Sequence, residues 1–272
     1  MITELPTERS KVESYNPSLM LLIGSAKSGK SSIVASLDDN LILDCEDGYR
    51  ALSVMKVQVR TAKDYFDVKN LLEKKMREDG KKPYRFITID NATRLEEQAL
   101  SLACQYYRNT AMGANFGMMR NPDGTPRIDQ RTGKPMIDPK ADVRTLAQGA
   151  GFLYLRSAVK DIVNMFKPYC ETLILVTHIK DKQIRRGDKE LTAVTVDLAG
   201  KTGDIICGEA DSIGLVYREG NKTYVSFEGG DDTLREARPL HLRGKKFCVA
   251  ESDENNNLKI DMSQIFIDTN KE

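Results

Sequence analysis

The chain has 272 residues, forty per cent of them apolar and thirty per cent charged, with a formal net charge of +1. That length suits one large domain or a domain with a small appendage, and the near-neutral balance excludes a globally basic nucleic-acid coat, so any polyanion site must be a local patch. Five cysteines are scattered without a C-x-x-C pair, which argues against a disulfide framework or a zinc site and for reduced, mostly buried thiols.

The opening residues carry no basic and apolar leader, and no apolar run approaches membrane-spanning length. The expectation is therefore a soluble, cytoplasmic protein with no membrane partner. Residues 1–17 are polar with Pro6 and Pro17 and read as an N-terminal arm.

Leu19 to Ile23 is a short all-apolar run and reads as a buried strand. Gly24, Ser25, Ala26, Lys27, Ser28, Gly29, Lys30 and Ser31 then fit the phosphate-binding pattern G-x-x-x-x-G-K-[ST], with Ser32 beside them and Ile33, Val34 and Leu37 at helical spacing. Strand, loop and helix is the context in which successive N–H groups curl around an anion. In that arrangement Lys30 reaches the β- and γ-phosphates of ATP and the Ser31 hydroxyl helps to hold Mg²⁺.

Leu41 to Leu43 begin a second buried strand that runs into Asp44, Glu46 and Asp47, and Val57 to Val59 suggest another. Thr61 and Asp64 form a capping box that opens a helix whose apolar face is Phe66, Val68, Leu71, Leu72 and Met76. Arg85 to Asp90 is the next strand, with a carboxylate at its end, and a helix from about Ala92 to Tyr107 follows. From 108 to 145 the periodicity fails and basic residues outnumber acidic ones, the mark of a flexible, basic insertion. Phe152 to Phe166 restores a helix, Thr172 to Val176 a strand ending at His178, and 180–189 is polar and basic. Residues 193–272 read as short strands and turns: Ala193 to Leu198, Ser212 to Arg218 paired with Thr223 to Glu228, and Pro239 to Val249.

Strands alternating with helices predict an α/β fold with a mostly parallel central sheet flanked by helices, in which ligands bind at the carboxyl ends of the strands. Asp90, delivered by an apolar strand, is the expected second Mg²⁺ residue after Ser31. Asn91 follows it, so the group that activates water must come from elsewhere. Glu46 is the first candidate and Asp44 the second, while His178 is placed to sense the γ-phosphate.

These residues resemble a known family. Leu41 to Glu46 looks like the strand of RecA-type ATPases that ends in the catalytic glutamate, and Leu173 to His178 like the strand whose end carries the phosphate sensor. Asp197 to Gly203, followed by Glu209 to Tyr217, looks like the region after the second DNA-binding loop. The set resembles the phage RecA-core recombination ATPases of the Sak type, often described as phage AAA-family ATP-binding proteins, from about residue 18 to 250.

The resemblance implies a RecA-like P-loop NTPase core over 18–210, with strands at 211–272 completing or extending its sheet. It implies Glu46 activating water, His178 sensing phosphate where many relatives have glutamine, and Lys201 completing the site of a neighbouring subunit. It also implies single-stranded DNA as partner, a homo-oligomer, and a single-strand-binding protein alongside. Candidate DNA contacts are Arg185, Arg186 and the Arg120 to Lys134 group, with Tyr106, Tyr107 and Phe116 nearby. Two other readings fit the phosphate loop: a small-molecule kinase or GTPase, and a nucleotide-dependent interaction module. Asn221-Lys222-Thr223-Tyr224 fails the guanine-reading N-K-x-D pattern at its last position.

Overall fold

Four apolar runs become the centre of one sheet: β1 (Leu19–Ile23), β2 (Asn40–Asp44), β4 (Tyr84–Asp90) and β5 (Cys170–Thr177). The computed structural model describes residues 5, 7, 13–186, 189–230, 234–255 and 257–268, without the side chains of 182, 184–186 and 189–192. Most of the expected arm at 1–17 therefore lies outside the described residues. Asn16 is described, and its side-chain amide exchanges two hydrogen bonds of 2.8 and 2.9 Å with the backbone of Ile267.

The sheet also takes in β3 (Met55–Gln58), β8 (Ser212–Glu219), β9 (Lys222–Ser226), β10 (Glu236–Ala237), β11 (Lys246–Ser252) and β12 (Leu258–Ile260). Its order is β12-β11-β9-β8-β1-β5-β4-β2-β3, with β10 paired to β8. Neighbours from β8 to β3 run parallel, whereas β9, β11 and β12 add as antiparallel strands. The fold is thus α/β with a mostly parallel centre and extra strands from the C-terminal part of the chain.

Alternation along β1 explains why its strand is apolar throughout. Leu19, Leu21 and Ile23 enter one core and Met20 and Leu22 the other, so both faces are buried. The first core is covered by α2 (Ala62–Asp79), α3 (Ala92–Gln98), α4 (Leu100–Arg108), α5 (Gly151–Phe166) and α6 (Thr202–Glu209). The second is covered by α1 (Lys30–Ala35) and by Leu242, Met262, Ile265 and Phe266 from the C-terminal part. Helices therefore flank the two faces unequally, because irregular chain before β11 and after β12 supplies apolar residues to the second face.

Several elements depart from the sequence reading. The strand expected at Val57 to Val59 starts two residues earlier, and the helix expected from Ala92 to Tyr107 is two helices that meet at Ala99. Residues 179–196, expected as a polar stretch and a short strand, form a hairpin of β6 (Ile179–Arg186) and β7 (Lys189–Val196) outside the main sheet. Helix α6 lies where only strands and turns were expected, its pattern masked by Gly203 and Gly208. The last expected strand, from Pro239, begins only at Lys246.

The segment 108–145 holds no long element, yet isolated bridges pair Met118 with Ile137, Arg120 with Pro126 and Ile128 with Pro135. Tyr107 packs against Phe116 and Tyr154, with centroids 5.1 and 5.2 Å apart, which seats the segment on the core. Among the described residues, no helix is long and apolar enough to cross a membrane.

Candidate nucleotide site

Parallel register brings the chemistry to one edge. Ile23 lies opposite Thr177 and Leu215, Asp90 opposite Val176, and Asp44 opposite Asp90, so β1, β5, β4 and β2 all release their following residues at the same edge. Because β5 sits between β1 and β4, His178 emerges between the phosphate loop and Asp90.

The loop needs both of its glycines. A Cβ on Gly24 would stand 2.4 Å from the carbonyl oxygen of Val216, and Gly29 has φ of +103°, a region closed to most side chains. The loop then feeds α1 at Lys30. The buried Lys30 Nζ donates to the carbonyl oxygens of Gly24 and Ser25 at 2.8 and 2.7 Å and lies 3.4 Å from Ser28 Oγ. Burial lowers its pKa, against the opposing pull of Asp90.

Ser31 Oγ donates to Asp90 Oδ2 at 2.9 Å, and the Tyr49 hydroxyl donates to the same oxygen. Burial raises the Asp90 pKa, and these two hydrogen bonds work against it. Asn91 Nδ2 and His178 Nε2 are 3.3 Å apart, so the residue after Asp90 touches the residue after β5.

The two carboxylates after β2 have different environments. Asp44, with a side chain 1% exposed, accepts from the N–H groups of Glu46 and Gly48 and from Lys56 Nζ at 2.9 Å. Its oxygens are committed to shaping the turn. Glu46, 43% exposed, pairs among the described residues with Arg94, whose Nε is 3.3 Å from Oε1.

A cleft of about 300 Å³ joins these groups, lined among others by Lys30, Ser31, Glu46, Asp90, His178 and Arg218. Lys27, Ser28, Gly29 and Ser32 of the predicted loop also line it, whereas Gly24, Ser25 and Ala26 do not. Lys201 is not in it; it stands exposed at the start of α6.

Two lining residues escape sequence reasoning. Tyr49 sits in a turn without periodicity, and the Arg218 guanidinium lies 3.6–3.7 Å from where a Cβ on Gly29 would be. Arg218 is carried there by the pairing of β8 with β1, which no local pattern announces.

The DNA candidates divide. Arg127, Arg131 and Lys134 are exposed and make no ion pair among the described residues. Tyr107 and Phe116 are engaged with each other. The Arg185 and Arg186 side chains lie outside the described residues.

Residues 16–120 match the family model described as an AAA domain, fewer than half of the 272 residues. No curated protein matches the chain. Similar solved structures include the RadB recombinase, with 10% identity over 89% of this chain and 90% of that one and a TM-score of 0.44. An ATPase from the type III secretion system of pathogenic bacteria is similar with 15% identity, 79% of this chain, 62% of that one and a TM-score of 0.38. A KaiC-like protein from the archaeon Pyrococcus horikoshii OT3 is similar with 10% identity, 90% of each chain and a TM-score of 0.41. The loop, its strand and its helix all lie inside the matched stretch.

Proposed function

We propose that the protein binds ATP with Mg²⁺ in this cleft, hydrolyses it, and acts as a RecA-like ATPase on single-stranded DNA in phage-type recombination, annealing or replication. The observation that carries the reading is the convergence of Lys30, Ser31, Asp90, Glu46 and His178 on one cleft. The donor set suits the metal: a serine hydroxyl already paired with an aspartate carboxylate offers hard oxygen ligands beside a phosphate loop. Bound there by Ser31 and Asp90, Mg²⁺ supplies charge neutralisation on the phosphates.

The protein's own groups do the rest. The Lys30 ammonium exchanges the Gly24 and Ser25 carbonyls for phosphate oxygens. Glu46 takes a proton from water as the water oxygen bonds to the γ-phosphorus and the bond to the β–γ bridging oxygen breaks. His178, in contact with Asn91, registers the γ-phosphate and relays its loss into β6, which starts at the next residue.

The basic residues of the 108–145 segment and of the β6–β7 hairpin are the proposed contacts to the strand. Homo-oligomer formation is part of the reading, with Lys201 of one copy serving the cleft of the next. ATP turnover with and without a single-stranded oligonucleotide tests it. A several-fold rise that fades with added salt is expected. An unchanged rate, with no oligonucleotide retained on a filter at low salt with ATP, overturns the DNA assignment.

A further inference from the structure

Tyr49 ties the turn after β2 to the carboxylate at the end of β4. The turn is fixed at its start, where Asp44 accepts from the N–H groups of Glu46 and Gly48 at 3.1 and 3.2 Å. Next comes Tyr49, whose side chain belongs to the same core as Ile33 and Val34 of α1 and Ile42 of β2 and is only 2% exposed. A buried phenol needs a hydrogen-bond partner. Here the partner is Asp90, 41 residues further along the chain, and both residues line the nucleotide cleft.

The two oxygens of Asp90 are treated differently. Ser31 Oγ donates to Oδ2 at 2.9 Å, and the Tyr49 hydroxyl donates to the same oxygen. Oδ1 makes no hydrogen bond among the described residues. Two donors on one oxygen hold the carboxylate plane in place, and partners of this kind orient metal-ligating carboxylates. The two donors are not equivalent. Ser31 stands in the first turn of α1 and is itself a proposed ligand, whereas Tyr49 is anchored in the core and adds a fixed second point.

We infer that Tyr49 is a positioning residue for Mg²⁺: by holding Oδ2 of Asp90 it keeps Oδ1 free for the metal. The inference rests on the reading that ATP and Mg²⁺ occupy this cleft. If the hydroxyl only satisfied a buried phenol, its removal would lower stability and leave metal binding alone. Positioning predicts a loss of metal affinity that stability does not report.

The test compares wild type with Tyr49→Phe, which keeps the ring in the core and removes only the hydroxyl. Binding of Mn²⁺, followed by electron paramagnetic resonance with a non-hydrolysable ATP analogue present, is expected to weaken about tenfold, as for one lost hydrogen bond to a charged group. Affinity for the analogue in a metal chelator is expected to match wild type, and the Mg²⁺ concentration for half-maximal turnover to rise in step with the Mn²⁺ result. Tyr49→Met, which also lacks the hydroxyl, serves where Tyr49→Phe does not fold and is expected to show the same weakening. Mn²⁺ bound as tightly as by wild type, or more tightly, overturns the inference and leaves the ATP reading intact, whatever the thermal midpoint does. An equal loss of analogue affinity without metal also overturns it, assigning Tyr49 to the nucleotide. A wild type that binds no Mn²⁺ with the analogue overturns the reading of the cleft, and the inference with it.

Discussion

Glu46→Gln is expected to lower ATP turnover by about 10²–10⁴-fold, the usual contribution of a positioned general base, while the affinity for ATP stays close to that of wild type. The substitution is nearly isosteric and removes only the basic oxygen. Asp44 cannot substitute, because it is buried and its oxygens accept from two backbone N–H groups and from Lys56. Glu46 lies half exposed, so its replacement disturbs little packing. Rapid-quench turnover together with equilibrium binding of labelled ATP checks both halves. An unchanged rate removes Glu46 from the mechanism, and lost binding assigns it to holding nucleotide.

Lys30→Ala is expected to cost turnover about 10²–10³-fold, corresponding to about 3–4 kcal/mol for a lost preorganised electrostatic donor. Binding weakens as well, since the ammonium meets the phosphates in the ground state as well as in the transition state. In this structure Lys30 Nζ is buried against the Gly24 and Ser25 carbonyls, and burial has lowered its pKa. An arriving triphosphate stabilises the charged ammonium, so binding favours proton retention on Lys30. The fold should survive the change, because among the described residues the side chain bonds within its own loop. Turnover and thermal midpoint measured on one preparation separate lost chemistry from lost structure.

How much of this was legible in the sequence follows from the kind of interaction each part depends on. Strands β1, β2, β4 and β5 were legible because strands buried on both faces read as near-continuous apolar runs rather than as alternation. The loop was legible because Gly24 and Gly29 answer to close backbone approach and a left-handed φ, which few other residues satisfy. The β6–β7 hairpin was hidden because its first strand is polar in sequence at every position but Ile179 and Ile184, which leaves no apolar alternation to read. Arg218 was hidden for another reason. It reaches the cleft only when β8 pairs with β1 across nearly 200 residues, and long-range pairing leaves no local mark.

The choice between the two carboxylates after β2 was also beyond the sequence. Asp44 and Glu46 stand two positions apart at a strand end, and spacing alone admits either as base. Both line the cleft, but burial separates them: Asp44 is buried with its oxygens held in the turn, whereas Glu46 is half exposed.

The most direct measurement is a structure of the E46Q chain with Mg²⁺ and ATP bound. The account predicts the triphosphate along Gly24 to Ser31, Lys30 Nζ moved from the Gly24 and Ser25 carbonyls onto phosphate oxygens, the metal between Ser31 and Asp90, and position 46 facing the γ-phosphate. A triphosphate bound elsewhere, or Lys30 still on those carbonyls with Asp90 and position 46 turned away, contradicts it.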